Sequence, residues 1–191
     1  MNYILEAKEK EKNIIINELI EKAIKKDETS FSNLIDLIEE EMYQIAKIKL
    51  KNNYEDIYDA IQETIILIYK NIKKLRNKEY FRTWAMRILI NECTKIINKK
   101  QKHNEKHLDY IENIEIEKNN FENIDSKQDF ETLIKCLNET EKIVIRLYYK
   151  EGFNIREIAE ILQEPEGTIK SQISRAKNKI KKIIEEKSIY E

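Results

Sequence analysis

Apolar residues recur at helical spacing along most of the chain. In the first segment, 4–26, Ile15, Leu19 and Ala23 stand at i, i+4 and i+8, which predicts an amphipathic helix. Ser30 precedes a second apolar stripe of this kind, and we expect it to begin the second helix. Only two glycines and one proline are present to form hairpin turns, so we expect an all-α protein.

Two further helices complete the first predicted domain. Asp56 is placed to cap a third helix that continues to about Leu75, because apolar residues follow it at helical spacing. A polar stretch separates it from a fourth helix that starts near Phe81 and continues into a lysine-rich tail ending at Lys102. We therefore expect a domain over 27–102, preceded by a charged helical extension over 1–26.

The helical pattern breaks down over 103–126, which is polar and mainly acidic. This composition predicts a flexible linker, so the expected architecture is two small helical domains, the second over 127–191. His103 and His107 stand four residues apart in this segment, but no third ligand accompanies them. We interpret them as solvated side chains and predict no metal site.

The second domain carries two capping-box spacings. Asn138 is followed three residues later by Glu141, and Asn154 by Glu157, so each pair predicts a helix start. The helix after Asn154 is short, and Pro165 follows it at a position suited to the beginning of another helix. A short helix, a turn and a longer helix together predict a helix-turn-helix.

The last helix divides into an apolar stripe and a polar face. The stripe consists of Ile169, Ile173, Ala176 and Ile180. The polar face consists of Lys170, Ser171, Gln172, Ser174, Arg175 and Lys177. Such side chains suit base edges and phosphates, which predicts DNA contact. The alternative, on periodicity alone, is an ordinary helical hairpin with a solvated basic face.

Charge and cysteine usage narrow the class of protein. The net charge of -1 hides basic stretches at 95–106 and 170–187, so we expect nucleic-acid contact on particular helices. Cys93 and Cys136 lie far apart, which is typical of reduced thiols in a cytoplasmic protein. We find no membrane span or signal peptide, and no nucleophile, base and orienting group that converge. The expectation is a cytoplasmic non-enzyme without a cofactor or a small-molecule substrate.

Five strings of residues carry a resemblance to a known family. In chain order they are DAIQET at 59–64, FRTW at 81–84, RILIN at 87–91, EIA at 157–159 and GTIKSQISRA at 167–176. Together they resemble bacterial RNA polymerase sigma factors of the extracytoplasmic-function (ECF) class. The resemblance covers about 27–187 apart from the linker, and it leaves the N-terminal extension unexplained.

The resemblance implies two partners, core RNA polymerase and promoter DNA, and a role in transcription initiation that includes DNA melting. The residues implied for polymerase binding are Asp59, Gln62 and Glu63. Those implied for the proximal (-10) promoter element and melting are Lys73, Lys74, Arg76, Lys78, Trp84, Arg87 and Asn91. Those implied for the distal (-35) element are Thr168, Lys170, Ser171, Gln172 and Arg175. Many relatives are also held inactive by an anti-sigma factor, although nothing in this sequence identifies one.

Several alternatives stay open at this stage. Trp84 is as well suited to anchoring the core of its helix as to contacting a base. Many relatives carry arginine where this chain has Gln172, and glutamine favours adenine where arginine favours guanine. The acidic linker either occupies the polymerase cleft or is a plain tether. The rival functions are a helix-turn-helix regulator that does not bind core polymerase, and a helical adaptor or enzyme whose basic face is incidental.

Overall fold

The computed structural model describes residues 14–104 and 126–188, and the side chains of 14–102 and 130–185. Within these ranges the chain forms helices and no strand, which confirms the expected fold class. The helices are α1, the described helix over 14–24, α2 (Glu28–Lys49), α3 (Tyr54–Asn71), α4 (Phe81–Asn104), α5 (Ser126–Ile134), α6 (Glu139–Tyr149), α7 (Ile155–Leu162) and α8 (Glu166–Ser188). None of these described helices has both the length and the apolarity that a membrane crossing requires. Most of the predicted linker, with His107, and the side chain of His103 lie outside the described residues.

The first domain is built around α2, α3 and α4, which pack against one another because each has an apolar stripe. Fully buried side chains at their centre are Leu34, Ile38, Met42, Ile57, Ile68, Phe81, Met86 and Leu89. Burying each contributes about 1.5–3 kcal/mol. Helix α3 ends at Asn71, before the predicted Leu75, because the chain tightens into a 3-10 turn over Ile72–Lys74. A second 3-10 turn, Lys78–Tyr80, leads into α4.

Helix α1 adds to the same core, where the predicted Ala23 is buried and the predicted Leu19 is half-buried, but the predicted Ile15 is not part of it. Ile16, Ile20 and Ala23 are buried, whereas Ile15 is 49% exposed. The observed set has the spacing i, i+4, i+7, which returns almost to the same angle around the helix. The predicted i, i+4, i+8 set drifts steadily around the helix, so packing selects the neighbouring stripe.

The starts of α2 and α3 lie earlier than predicted. Asp27, not Ser30, caps α2, and the Ser30 N–H donates to the Asp27 carboxylate at 2.9 Å. Likewise Asn53, not Asp56, caps α3, and the Asp56 N–H donates to the Asn53 side chain at 3.1 Å. In both cases the predicted cap is the third residue of the helix, where its N–H is the donor that needs satisfying.

The second domain confirms both predicted capping boxes. The Glu141 N–H donates to Asn138 at 2.9 Å, and the Glu157 N–H donates to Asn154 at 3.0 Å. Each glutamate carboxylate in turn accepts a hydrogen bond from the backbone N–H of its asparagine. Helices α6, α7 and α8 pack together around buried side chains, so α7 and α8 form the predicted helix-turn-helix.

The two domains also pack against each other. Helix α7 lies on α4, and α6 lies on α2. The buried apolar residues of both domains form one continuous cluster. Nothing in the sequence pattern predicts this contact, which places the helix-turn-helix beside the first domain's predicted DNA-binding residues.

Candidate nucleic-acid interface

The residues predicted to bind polymerase share one exposed face of α3. Asp59, Gln62 and Glu63 are all exposed, because the intervening Ala60 and Ile61 point into the core. The face is not purely polar, since exposed apolar side chains adjoin it. These are Tyr58, Ile66 and Tyr69, which are 56%, 42% and 47% exposed. These three side chains lie outside the buried stripe of α3. Their positions in the helical repeat could therefore have identified them as exposed from the sequence.

The predicted cations of the first domain lie around the two 3-10 turns. Lys73, Lys74 and Arg76 are exposed, and the Lys74 ammonium donates to Asn71 Oδ1 at 2.8 Å. Lys78 differs, because its ammonium lies 2.5 Å from the Glu21 carboxylate on α1. The hydrogen bond and the charge of Lys78 hold the pKa of Glu21 below its ordinary value. The N-terminal extension therefore offsets one of the predicted DNA-binding charges.

A cavity of about 160 Å³ opens beside these turns. Its lining residues are Leu75, Asn77, Tyr80, Thr83, Trp84, Arg87 and Glu160. Trp84 is half-buried and packs against Phe81 with ring centroids 6.3 Å apart, so it serves the core and the cavity wall together. Aromatic, amide and guanidinium groups around a cavity of this size can hold a planar, unstacked base.

Asn91 lies on the exposed side of α4, but the second domain occupies it. Its Oδ1 accepts a hydrogen bond from Gln163 Nε2 at 2.7 Å. Gln163 is the C-cap of α7 and has left-handed backbone geometry, with φ 56°. Helix α7 also borders the cavity, since Glu160 contributes to its wall. Helix α7 therefore covers part of the predicted proximal-element face.

Arg82 joins the two domains, a role that the sequence did not reveal. Its guanidinium makes a bidentate pair with Glu41 of α2, at 2.8 and 3.2 Å. The same group donates to the backbone carbonyl of Glu151 at 2.8 Å and lies 4.7 Å from the Phe153 ring centroid. Its side chain is only 14% exposed. Such charge-assisted, partly desolvated bonds are stronger than exposed ones.

A second arginine extends this cluster into the helix-turn-helix domain. Arg146 pairs with Glu151 at 3.2 Å and also with Glu131 of α5. Burial raises the pKa of Glu151, and the nearby Glu41 carboxylate raises it further, against the attraction of Arg146. The interface therefore contains a carboxylate whose charged form is disfavoured.

The predicted distal-element residues lie on and beside the exposed face of α8. Lys170, Ser171 and Arg175 are exposed, and Thr168 is half-buried. The Ser171 hydroxyl donates to the Thr168 carbonyl at 2.8 Å, and Arg175 Nε donates to the Ser171 carbonyl at 3.3 Å. Lys170 and Arg175 thus lie in the first turns of α8, where a recognition helix contacts base edges.

Gln172 is half-buried and turned towards the helix-turn-helix turn. Its Nε2 donates to the Glu164 carboxylate at 2.9 Å, while its Oε1 is buried without a hydrogen-bond partner among the described residues. A buried, unsatisfied carbonyl disfavours this rotamer by about 1–3 kcal/mol. Contact between Gln172 and a base therefore requires the side chain to leave Glu164.

Comparison with known proteins places both domains in one family. The model for Sigma-70 region 2 matches residues 35–103, and that for Sigma-70, region 4 matches residues 127–180. The chain is 25% identical over 187 residues to the ECF RNA polymerase sigma factor SigW of Bacillus subtilis, covering 88% of this chain and 96% of that one. It is 26% identical over 179 residues to the ECF RNA polymerase sigma-E factor of Haemophilus influenzae, covering 87% and 94%.

Two solved structures have a similar fold. The sigma factor RpoE from Bartonella quintana, crystallised with the anti-sigma factor NepR, has a TM-score of 0.62 at 23% identity, covering 81% of this chain and 96% of that one. CnrH, solved with the cytosolic domain of CnrY, has a TM-score of 0.61 at 16% identity, covering 90% and 97%. Because the identities are this low, these likenesses establish the fold alone.

Proposed function

Because the chain belongs to the ECF class of RNA polymerase sigma factors and so directs transcription initiation, we propose that it binds core polymerase through α3 and recognises two promoter elements. The observation that carries the proposal is the exposed polar face of α8 on a packed helix-turn-helix, with Lys170 and Arg175 near its start. We propose the domain limits 27–102 and 127–191 for these two activities, joined by the linker 103–126.

Polymerase binding is assigned to the exposed face of α3. Asp59, Gln62 and Glu63 supply the polar contacts, and Ile66 supplies an apolar contact beside them. An Ile66→Gln substitution should weaken binding to core polymerase without unfolding the chain, because this side chain is 42% exposed. Native gel electrophoresis with purified core measures the effect, and Glu18→Gln on α1 serves as an exposed control.

The first domain is proposed to open the duplex at the proximal element. Lys73, Lys74 and Arg76 would attract the phosphate backbone, whose binding depends strongly on such charges. Lys78 would do so only after leaving Glu21. Trp84, Arg87 and Asn91 would hold unstacked bases at the cavity and along α4. Capturing bases in this way favours the melted strand without any chemical step, since each stacked base contributes about 1–3 kcal/mol.

The second domain is proposed to bind the distal element in the major groove. Lys170, Ser171 and Arg175 would reach base edges, with Thr168 near a phosphate. Gln172 would join them once its amide leaves Glu164. Its amide favours adenine, so the distal element is expected to differ from that of relatives with arginine there.

A protein regulator is a further proposed partner. RpoE was solved with an anti-sigma factor and CnrH with the cytosolic domain of CnrY. On this likeness, we assign an anti-sigma protein to the present chain as well. The exposed Tyr58, Ile66 and Tyr69 on α3 supply apolar surface for a protein contact.

Run-off transcription from a promoter library, with purified core polymerase, tests the function. We expect transcripts that depend on this protein and share two spaced upstream elements. Arg175→Ala should weaken selection at the distal element, whereas Lys181→Ala, which removes a 73% exposed lysine later on α8, should not. If the folded protein binds no core and yields no transcripts, the regulator that acts without core polymerase becomes the better interpretation.

A further inference from the structure

We propose that Glu164 sets how strongly Gln172 recognises its base in the distal element, because the Glu164 carboxylate competes with the base for the same amide. This inference rests on the proposed function, since it concerns a residue assigned to the distal element. Glu164 lies in the turn before α8, and Gln172 lies in the second turn of that helix. Gln172 Nε2 donates to the Glu164 carboxylate at 2.9 Å. Glu164 is therefore a positioning residue that acts through Gln172.

The backbone of the turn places Glu164 beside Gln172. Gln163 has left-handed geometry, and the N–H of Glu164 donates to the Ala159 carbonyl at 3.1 Å. Pro165 follows, and a residue before proline is restricted to extended backbone. Helical side chains lean towards the N-terminus of their helix, so Gln172 points back towards the turn. The fold thus brings the carboxylate and the amide together.

The carboxylate decides which way the Gln172 amide is turned. A carboxylate only accepts hydrogen bonds, so the amide has to present its NH2 group to Glu164. Recognition of adenine in the major groove uses both ends of a glutamine amide, its NH2 group at N7 and its oxygen at the adenine amino group. In the pair with Glu164, however, Oε1 of Gln172 is buried without a hydrogen-bond partner among the described residues. Adenine cannot engage both ends of the amide while the pair persists.

Gln172 lies on the side of α8 that is already assigned to the distal element. Thr168, Gln172 and Arg175 stand at i, i+4 and i+7, which places them on one side of the helix. The amide can leave Glu164 by rotation about its own side-chain bonds, while the backbone of α8 stays in place. Release of the pair therefore turns the amide towards the same DNA that Thr168 and Arg175 contact.

The balance of hydrogen bonds allows DNA to open the pair. A hydrogen bond to a charged group stabilises it, whereas the unpartnered Oε1 opposes it by a free energy of similar size. Adenine satisfies both ends of the amide, while guanine presents only acceptors at N7 and O6 and leaves the oxygen without a donor. Adenine binding is thus the event that has to break the pair. Glu164 therefore reduces the preference of Gln172 for adenine over the other bases.

Removing the carboxylate provides the main test. The templates carry the distal element selected in the run-off experiment, with each of its base pairs substituted in turn, and they compete in one transcription reaction with core polymerase. The base pair that Gln172 contacts is the one at which Gln172→Ala loses the preference for adenine. There, Glu164→Ala should raise the ratio of transcripts from adenine and non-adenine templates about five- to tenfold, within the usual coupling between residues in contact. Glu164→Gln keeps the size and a neutral acceptor, so it should give a smaller rise.

Three controls separate this effect from charge and from stability. Glu166→Gln removes an exposed carboxylate from the first turn of α8, and it should change transcription from all templates by the same factor. In a Gln172→Ala background, Glu164→Ala should change no base preference, because the amide through which it acts is absent. Binding of the chain to a labelled single strand of the proximal element, the proximal strand, should be the same in every variant.

The outcomes separate the two proposals. If the wild type gives no transcripts with core polymerase, the proposed function fails. If the wild type transcribes, the competition for the amide is overturned by any of three results. These are a Gln172→Ala variant with unchanged base preference, a Glu164→Ala variant that alters the preference no more than Glu166→Gln does, and an effect of Glu164→Ala that persists without Gln172. Circular dichroism confirms that each variant is folded, and Glu164→Gln supplies the measurement if the alanine variant is not.

Discussion

The two faces proposed to bind DNA differ in how much of each the fold leaves open. On α8, Lys170, Ser171 and Arg175 project from an exposed surface. On α4, Asn91 is hydrogen-bonded to Gln163, and the adjoining cavity has Glu160 in its wall. Sequence motifs predict both faces, but only the α8 face is fully accessible in this conformation.

This difference teaches that a DNA-binding residue has to be judged with its tertiary neighbours. The distal face can be recognised on a single helix, because α8 carries its own core stripe and its own contacts. The proximal face is assembled from α4 and two 3-10 turns, and α7 of the other domain then covers it. We therefore expect the distal face to bind DNA without opening and the proximal face to require it.

The largest expected effect comes from removing the arginine between the domains. Arg82→Ala removes the ion pair with Glu41 and the hydrogen bond to the Glu151 carbonyl. Breaking a buried ion pair typically costs about 3–5 kcal/mol. We expect a lower free energy of unfolding and a lower energy-transfer signal between dyes on Lys25→Cys and Lys181→Cys, in a Cys136→Ser background. Urea denaturation and energy transfer measure the two quantities. Lys100→Ala, which breaks an exposed pair with Asp56 inside the first domain, should cost below about 1 kcal/mol. Equal losses in both variants would contradict the difference between the faces.

The next largest effect concerns the distal face alone. Arg175→Ala should weaken binding to a distal-element duplex by about 1–3 kcal/mol, because one contact to a base edge or phosphate is lost. Fluorescence anisotropy with the duplex measures this, with Lys181→Ala as the exposed control on the same helix. The proximal strand should bind as before, so a parallel loss for both DNAs would show that the faces are not independent.

Substituting the N-cap of α7 tests whether this helix limits access to the proximal face. Asn154→Ala removes the capping box of α7 and should cost about 1 kcal/mol by loosening its first turn. We expect this to expose the proximal face and to raise strand binding by the chain alone. Asn138→Ala removes the equivalent box of α6 and is the matched control, since it weakens the same domain without changing α7. If both cap substitutions raise strand binding equally, general destabilisation of the second domain explains the increase.

The smallest expected effect is a pH dependence of closure. Burial raises the pKa of Glu151 above its ordinary 4.5, with Glu41 adding to the shift. A carboxyl of this kind stabilises the closed state most at a pH below 4.5, and the contribution is lost as the pH rises through the raised pKa. Glu151→Gln should flatten this part of the pH profile and slightly favour closure at neutral pH. Energy transfer followed from about pH 4 to about pH 8 measures it, and an unchanged profile would assign the pH dependence elsewhere.

Some local features of this fold were predictable, although the caps of α2 and α3 were not, and the long-range contacts were not. Both capping boxes and the buried stripe of α8 follow from spacing, because the groups that satisfy each other are three or four residues apart. The predicted stripe of α1 was off by one residue at two of its three positions, since adjacent stripes have similar apolar content, and correct at Ala23. The contact between Gln163 and Asn91 joins residues far apart in sequence, and no periodicity encodes such a pair. Covering of the proximal face is therefore a property that only the tertiary structure reveals.

The left-handed cap at Gln163 narrows the set of amino acids that this position can hold. Its φ of 56° favours glycine and tolerates asparagine, whereas its contact with Asn91 requires a polar group that can donate a hydrogen bond. Two neighbours thus constrain this one residue, its own backbone geometry and the side chain of the other domain. Variation at position 163 among relatives should be narrow wherever Asn91 is kept.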